Sequence, residues 1–180
     1  MTPESWARLA RASEFYESRG FKYKDVPWYV SEEISSITKP DWCVDFHIGD
    51  ACLVGSAEQS FLSIYEELDG ANYYAITPCF RDEDEITEFT KIGFMKLELF
   101  SKNNFQLQYF LKCARTFFLE EAPFYSNIEC ITLGVDDYDL NYKGIELGSY
   151  NVKRHGNMTW ACGTGLAEPR FTAALKRGTK

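Results

Sequence analysis

Two runs of aromatic and β-branched residues, Asn72 to Phe80 and Phe94 to Phe100, flank a strongly polar stretch from Arg81 to Gly93. Such runs suit a pleated, half-buried surface, and so short a connection between them closes most simply as an antiparallel hairpin. Residues two apart on a strand share a face, so Arg81 and Glu83 point the same way on one arm and Phe94, Lys96 and Glu98 on the other. That face gathers an arginine, a lysine, an aromatic ring and two carboxylates. A purely structural sheet seldom puts so much charge beside an aromatic on one face, although a solvated outer face can.

The rest of the chain places helices and further strands around the hairpin. Thr2 and Pro3 have the character of an N-cap and first helical residue, and Trp6, Leu9, Ala10 and Phe15 follow at helical spacing until Gly20 stops the run. Phe21 to Val30 reads as extended, with Pro27 suiting an edge or an interface. Residues 43 to 55 read as strand, loop and strand. Glu58 to Leu68 carries Phe61, Leu62, Tyr65 and Leu68 on a helical stripe ended by Gly70. An apolar-faced helix is expected over Phe105 to Glu120, extended segments over Ile128 to Tyr142 and Gly144 to Lys153, and a last helix opening at Pro169 and running to Lys176. Helices in separate blocks around turn-linked strands indicate an α+β domain, an antiparallel sheet flanked by helices, spanning residues 1–180.

Composition excludes several classes. The chain of 180 residues is 45% hydrophobic and 16% aromatic, which argues for a packed core rather than disorder. Its net charge of -8 weakens any case for a broad nucleic-acid surface, because phosphate binding relies on clustered Lys and Arg. The six cysteines are dispersed without a close pair and sit among apolar neighbours, as reduced, mostly buried thiols of a cytoplasmic protein would. Residues 1–6 lack the basic and apolar regions of a secretory signal, and no apolar run approaches a membrane span.

Three further segments carry candidate chemistry. Gly163, Gly165 and Ala167 lie on a strand where small side chains let a ligand approach the backbone, and Arg170 stands at the following helix start; a tight turn would explain the glycines equally. Glu146 and Ser149 form a hard oxygen pair able to hold magnesium, or an ordinary strand end. Ser56 and Glu58 read as a helix cap and a favourable first-turn acid. In a functional reading of the hairpin, Arg81 meets a phosphate, Phe94 stacks on a base, Glu83 accepts from an exocyclic amine and Glu98 holds an ammonium group.

Taken in order, these segments resemble the catalytic core of class II aminoacyl-tRNA synthetases, and most closely the seryl-type branch. Phe80, Arg81, Asp82 and Glu83 followed by Phe94, Lys96 and Glu98 are similar to the second signature motif of that class. Gly163 through Ala167 to Arg170 is similar to the third, Ser56 and Glu58 to the loop contacting the substrate amino group, and Gly20 to Pro27 to the first motif at the dimer interface. The resemblance implies an ATP-dependent ligase of class II form that makes an aminoacyl adenylate and works as a homodimer. By position it implies that Arg81, Glu83, Phe94, Glu146, Ser149, Gly165 and Arg170 bind ATP, with Arg81, Glu83 and Arg170 as the catalytic set. It further implies that Glu146 and Ser149 hold Mg2+, and that Ser56, Glu58, Lys96, Glu98 and Gly163 bind the amino acid. Ser56 and Glu58 address the amino group common to all amino acids and so select none of them.

Departures from the family pattern bear on activity. The turn between Glu83 and Phe94 is short and acidic (Asp84, Glu85, Glu88), with Thr90 where the family usually has a basic residue; Lys91 is the candidate substitute. Phe89 competes with Phe94 as the stacking ring. The length leaves no room for an anticodon-binding domain, so the expected acceptors are a carrier-protein thiol, a small-molecule amine, or a tRNA recognised through a partner chain. Cys52 and Cys162 lack third and fourth partners in the sequence, so zinc is not expected, and His47 and His155 receive no role. A catalytically silent paralogue, or a subunit pairing with a full-length synthetase, are the alternatives to an enzyme.

Overall fold

A computed structural model describes residues 1–40, 43–83, 85–122 and 127–178. Helix α1 (Pro3–Ser18) opens with the Thr2 side chain accepting from the Ser5 N–H and closes at Arg19, with Gly20 following at φ 82°. Then come β1 (Lys22–Tyr23), β2 (Tyr29–Val30), α2 (Glu32–Thr38), β3 (His47–Ile48), β4 (Ala51–Leu53) and α3 (Ala57–Ser63). The hairpin follows as β5 (Tyr73–Phe80) and β6 (Gly93–Ser101), then α4 (Leu107–Glu121), β7 (Ile128–Gly134), β8 (Asp137–Tyr142), β9 (Ile145–His155), β10 (Met158–Glu168) and α5 (Arg170–Gly178).

Seven strands form one sheet in the order β1-β5-β6-β10-β9-β8-β7, antiparallel throughout except for the β1 and β5 pair at one edge. A small sheet, β2-β4-β3, stands apart from it. Strict alternation along β6 builds two different faces. Leu97 and Leu99 point into a core with Tyr16 of α1, Phe110, Phe117 and Phe118 of α4, and Phe171 of α5. Phe100 points the other way, where it joins Tyr73, Ala75 and Trp160 beneath Phe61 and Leu62 of α3, and the Phe61 and Phe100 rings stack with centroids 4.7 Å apart. Each such fully buried ring stabilises the fold by roughly 1.5–3 kcal/mol relative to leaving it exposed. Farther along this second face, Phe100 gives way to Glu98, Lys96 and Phe94, and there the apolar packing ends in cavities.

The hairpin, the α+β class and the helices α1, α4 and α5 match the sequence expectation. Several details differ. Phe21 to Val30 is divided, β1 joining the large sheet and β2 the small one. The segment Glu58 to Leu68 is helical only to Ser63 and then tightens into a 3-10 turn at Tyr65–Glu67. Helix α2 is unforeseen: it has only Ile34 and Ile37 as apolar residues, and its start depends on Ser31, whose side chain accepts from the Ile34 N–H. Ile128 to Tyr142 is two strands, reversed at Asp136 with φ 54°. Arg81 and Glu83 lie beyond the end of β5 rather than on its arm, although the Arg81 N–H still donates to the Ile92 carbonyl across the hairpin mouth. Asp84 is outside the described residues. No helix among them is long and apolar enough to cross a membrane.

Candidate functional site

Two cavities, of about 220 and 210 Å3, open on the second face of the large sheet, and Arg81, Lys96 and Ser149 line both. Arg81 is fixed at the junction: its Nε donates to the Gly55 carbonyl at 3.0 Å, and its guanidinium carbon lies 5.3 Å from the centre of the Phe94 ring. Nε is engaged with the loop before α3, and among the described residues the terminal nitrogens make no hydrogen bond, so they are donors for a ligand between the cavities.

The first cavity brings together Glu83, Phe94, Glu146 and Arg170, with Phe89 and Lys91 from the turn. Arg170 Nη1 is 2.9 Å from Glu146 Oε1, a pair whose carboxylate side chain is 45% exposed. Phe89, the competing ring, also lines this cavity, but the Arg177 guanidinium of α5 sits 5.4 Å from its centre. Thr90 closes its own turn, donating from Oγ1 to the Glu85 carbonyl at 2.6 Å, while its neighbour Lys91 is the cation of the turn that reaches the cavity.

Two β-bulges make this wall. On a regular strand Glu146 and Ser149, three apart, would face opposite ways. The register of β9 against β8 jumps, however: Leu140 pairs with Gly148 and Asn141 with Glu146, so one extra residue is inserted and both side chains line the same cavity. Asp139 lies directly across from Ser149; burial, and then the Glu146 charge, push its carboxyl above the usual carboxylate range. On β10 a second jump between Thr164 and Leu166 does the same for Thr164 and Ala167. Both bulges adjoin the first cavity, where they re-aim side chains.

The second cavity is lined by paired groups. Glu98, only 2% exposed, accepts from Ser56 Oγ at 2.5 Å and from Lys96 Nζ at 2.6 Å. The solvated-face reading of the hairpin therefore fails at this residue. Glu58, 6% exposed, accepts from Trp160 Nε1 at 2.7 Å and Lys153 Nζ at 2.9 Å, with the Cys162 thiol 3.1 Å away. Burial alone would push the Glu58 carboxyl up, but Lys153 with the Trp160 and Cys162 donors outweighs it and holds the group below its usual range. Reciprocally, burial would lower the Lys153 ammonium and the Glu58 charge raises it. Burial, then the Glu58 carboxylate, push the Cys162 thiol well above its ordinary value. Ser56 caps α3 only loosely, 3.4 Å from the Glu58 N–H, because its hydroxyl is turned to Glu98.

Gly163 and Gly165 line neither cavity. A Cβ at Gly163 would come within 2.2 Å of the Tyr150 ring, and one at Gly165 within 2.4 Å of Leu97 Cδ2. These glycines serve close packing on the helical side of the sheet, which corrects the expectation that a ligand needs the space. Conversely, Lys153 lines the second cavity, Trp160 holds Glu58 and Asp139 lies across from Ser149, and none of the three was anticipated. Lys153 had a signal: Ser149, Asn151 and Lys153 alternate along β9 and line the second cavity together.

No family model matches the sequence, and no curated protein matches it. Solved structures do. The pyrrolysyl-tRNA synthetase PylSc of Desulfitobacterium hafniense is similar with a TM-score of 0.77 at 18% identity, over 98% of this chain and 70% of that one. Seryl-tRNA synthetase from Pyrococcus horikoshii, complexed with ATP, is similar with a TM-score of 0.69 at 19% identity, over 93% of this chain and 49% of that one. Cytoplasmic serine-tRNA ligase from Naegleria fowleri, in complex with AMP, gives 0.66 at 15% identity, over 94% of this chain and 52% of that one. At these identities the likeness establishes the fold, a large antiparallel sheet flanked by helices as in class II aminoacyl-tRNA synthetase catalytic cores.

Proposed function

We propose that this chain, with the fold of a class II synthetase core, activates an amino acid by attack of its carboxylate on the α-phosphate of ATP. The products are an aminoacyl adenylate and pyrophosphate. The observation that carries the reading is the position of Arg81, clamped to Gly55 at the junction of two cavities. A guanidinium there can bridge a phosphate in one cavity and a carboxylate in the other, holding the reactants together and stabilising the charge that develops between them. In the first cavity Phe94 and Arg170 would face the adenine and Glu83 its amine. In the second, Glu98 and Ser56 would receive the amino group.

Glu146 and Ser149 fit magnesium: the bulge at Leu147 turns two hard oxygens into one cavity, beside Asp139. When bound, the ion would neutralise phosphate charge, and Arg170 would be released from Glu146 towards the nucleotide. The activated acyl group passes to a carrier-protein thiol, a small-molecule amine or a tRNA. The exposed aromatic residues Tyr23, Trp28 and Tyr29, all on the segment after α1, support pairing with a second copy.

One observation favours a second reading. The Glu58 carboxylate is already satisfied by Lys153, Trp160 and Cys162, so an ammonium substrate must either displace Lys153 or use Glu98 instead. A silent paralogue that binds nucleotide without turnover would carry such a self-paired pocket. ATP–pyrophosphate exchange with magnesium and each of the twenty amino acids in turn tests both. Exchange with one amino acid is expected; ATP binding with no exchange selects the silent reading, and absence of ATP binding overturns both.

A further inference from the structure

The hairpin β3–β4 reverses in two residues, Gly49 and Asp50, with Gly49 at φ 59°. So tight a turn fixes the register. His47 is placed directly opposite Cys52, and Asp45, two residues before His47, comes to the same side. The carboxylate, imidazole and thiol donor atoms lie within 4.8 Å of one another, and Cys52 Sγ is 3.7 Å from His47 Nδ1. Bond lengths of about 2.3 Å to sulfur and about 2.0 Å to nitrogen at a tetrahedral angle separate two donors by roughly 3.5 Å. The pair is thus already spaced as the edge of a zinc tetrahedron.

We propose that Asp45, His47 and Cys52 form a zinc site, with water at the fourth position on the exposed side of His47. A thiolate and an imidazole exclude magnesium and calcium in favour of a borderline-soft ion, and zinc suits mixed sulfur, nitrogen and oxygen donors. On binding, the Cys52 thiol releases its proton to solvent, after which thiolate and carboxylate balance the two charges of the ion. The outer partners are in place. Ser35 Oγ donates to Asp45 Oδ1 at 2.8 Å and Lys39 Nζ to Oδ2 at 2.5 Å, which orients the carboxylate and leaves lone pairs for a metal.

Asp45 also lines the second cavity. From it a line of hydrogen bonds runs through Ser35 to Gln59 (3.2 Å), from Gln59 to the Gly55 N–H (2.8 Å), and from the Gly55 carbonyl to Arg81 (3.0 Å). Zinc would pin Asp45, and with it the Cys43 to Asp45 segment that lines this cavity, to the small sheet. The site stands independently of any reaction in the cavities.

The test is metal content and affinity of the whole chain, stripped with a chelator and then titrated with zinc and with cobalt(II), without nucleotide. One zinc per chain is expected, with thiolate-to-cobalt charge-transfer absorption in the cobalt form. His47 is exposed, so His47→Ala should fold normally and weaken zinc by about 100-fold or more, beyond what outer-shell changes cost. Cys52→Ser should abolish the charge-transfer band, whereas Cys130→Ser, at the exposed cysteine of β7, should leave binding unchanged. Zinc content far below one per chain, or equal affinity in the parent and His47→Ala, would overturn the site.

Discussion

The two cavities share Arg81, Lys96 and Ser149, yet their remaining walls differ in kind. Around the first, Arg170 and Glu146 form a half-exposed pair, and Phe94 and Phe89 line the wall with Arg81 and Arg177 near their rings. Around the second, Glu58 and Glu98 are almost wholly buried; Lys153 and Trp160 engage both oxygens of Glu58, while Lys96 and Ser56 both meet Oε2 of Glu98. An exposed pair contributes little to stability and yields easily to a ligand, whereas a buried one is costly to break. The pair in the first cavity is therefore the easier to open, and those in the second hold the shape of its wall.

Arg81, common to both, is where the contrast has its largest consequence. Arg81→Ala should lower ATP–pyrophosphate exchange about 100- to 1000-fold, the scale set by loss of one preorganised donor to developing charge. Thermal stability should hardly move, because among the described residues the side chain makes a single hydrogen bond, from Nε to the Gly55 carbonyl. Exchange within threefold of the parent would remove Arg81 from the reaction.

Lys153→Met tests whether the second cavity is held by its own pairs. Leaving Glu58 buried without its cation should destabilise the fold by about 2–3 kcal/mol in chemical denaturation, less than for a fully buried pair because the Lys153 side chain is 35% exposed. Adding Glu58→Gln should recover part of that loss; a loss below about 0.5 kcal/mol would show the pair to be loosely coupled. The pH dependence follows from the directions of the shifts. Glu58 titrates lower when folded than its ordinary 4.5, so its contribution is complete above that pH and is lost as pH falls through the folded value. Lys153 titrates above its ordinary 10.5, so its share is complete below that pH and is lost as pH rises through the folded value.

What the sequence made legible divides along the same line. Regular alternation put Phe94, Lys96 and Glu98 on one face, and β6 obeys it without interruption. Glycine and proline marked the ends of α1 and the start of α5. Bulges escape such reading, because one inserted residue reverses every side chain beyond it: Glu146 with Ser149, and Thr164 with Ala167, are brought together only by register jumps that depend on the neighbouring strand. The same limit explains the two glycines. Their smallness is visible in sequence, but whether a ligand or a ring fills the space depends on which side they face.

Gly163→Ala sharpens that point. A methyl within 2.2 Å of the Tyr150 ring must displace it, and overpacking of this kind costs about 1–3 kcal/mol. The loss should appear in the denaturation midpoint, with exchange kinetics per folded molecule nearly unchanged. A selective rise in KM for the amino acid, without a loss of stability, would return Gly163 to the ligand.

The smallest effect should come from the rings of the first cavity, because several partial contacts share the work there. Phe94 is on a strand, paired with Cys79 across the hairpin, with Arg81 against it. Phe89 is in the turn, occupied by Arg177 from α5. A rigidly mounted ring loses less entropy on stacking and so carries more of the affinity. Phe94→Ala should accordingly weaken ATP binding about tenfold, at the lower end of what base stacking on an aromatic contributes, and Phe89→Ala by no more than about threefold. Equilibrium ATP binding to the two variants decides between them. If Phe89→Ala has the larger effect, the turn rather than the strand carries the stacking ring, from the place it already holds in the cavity wall.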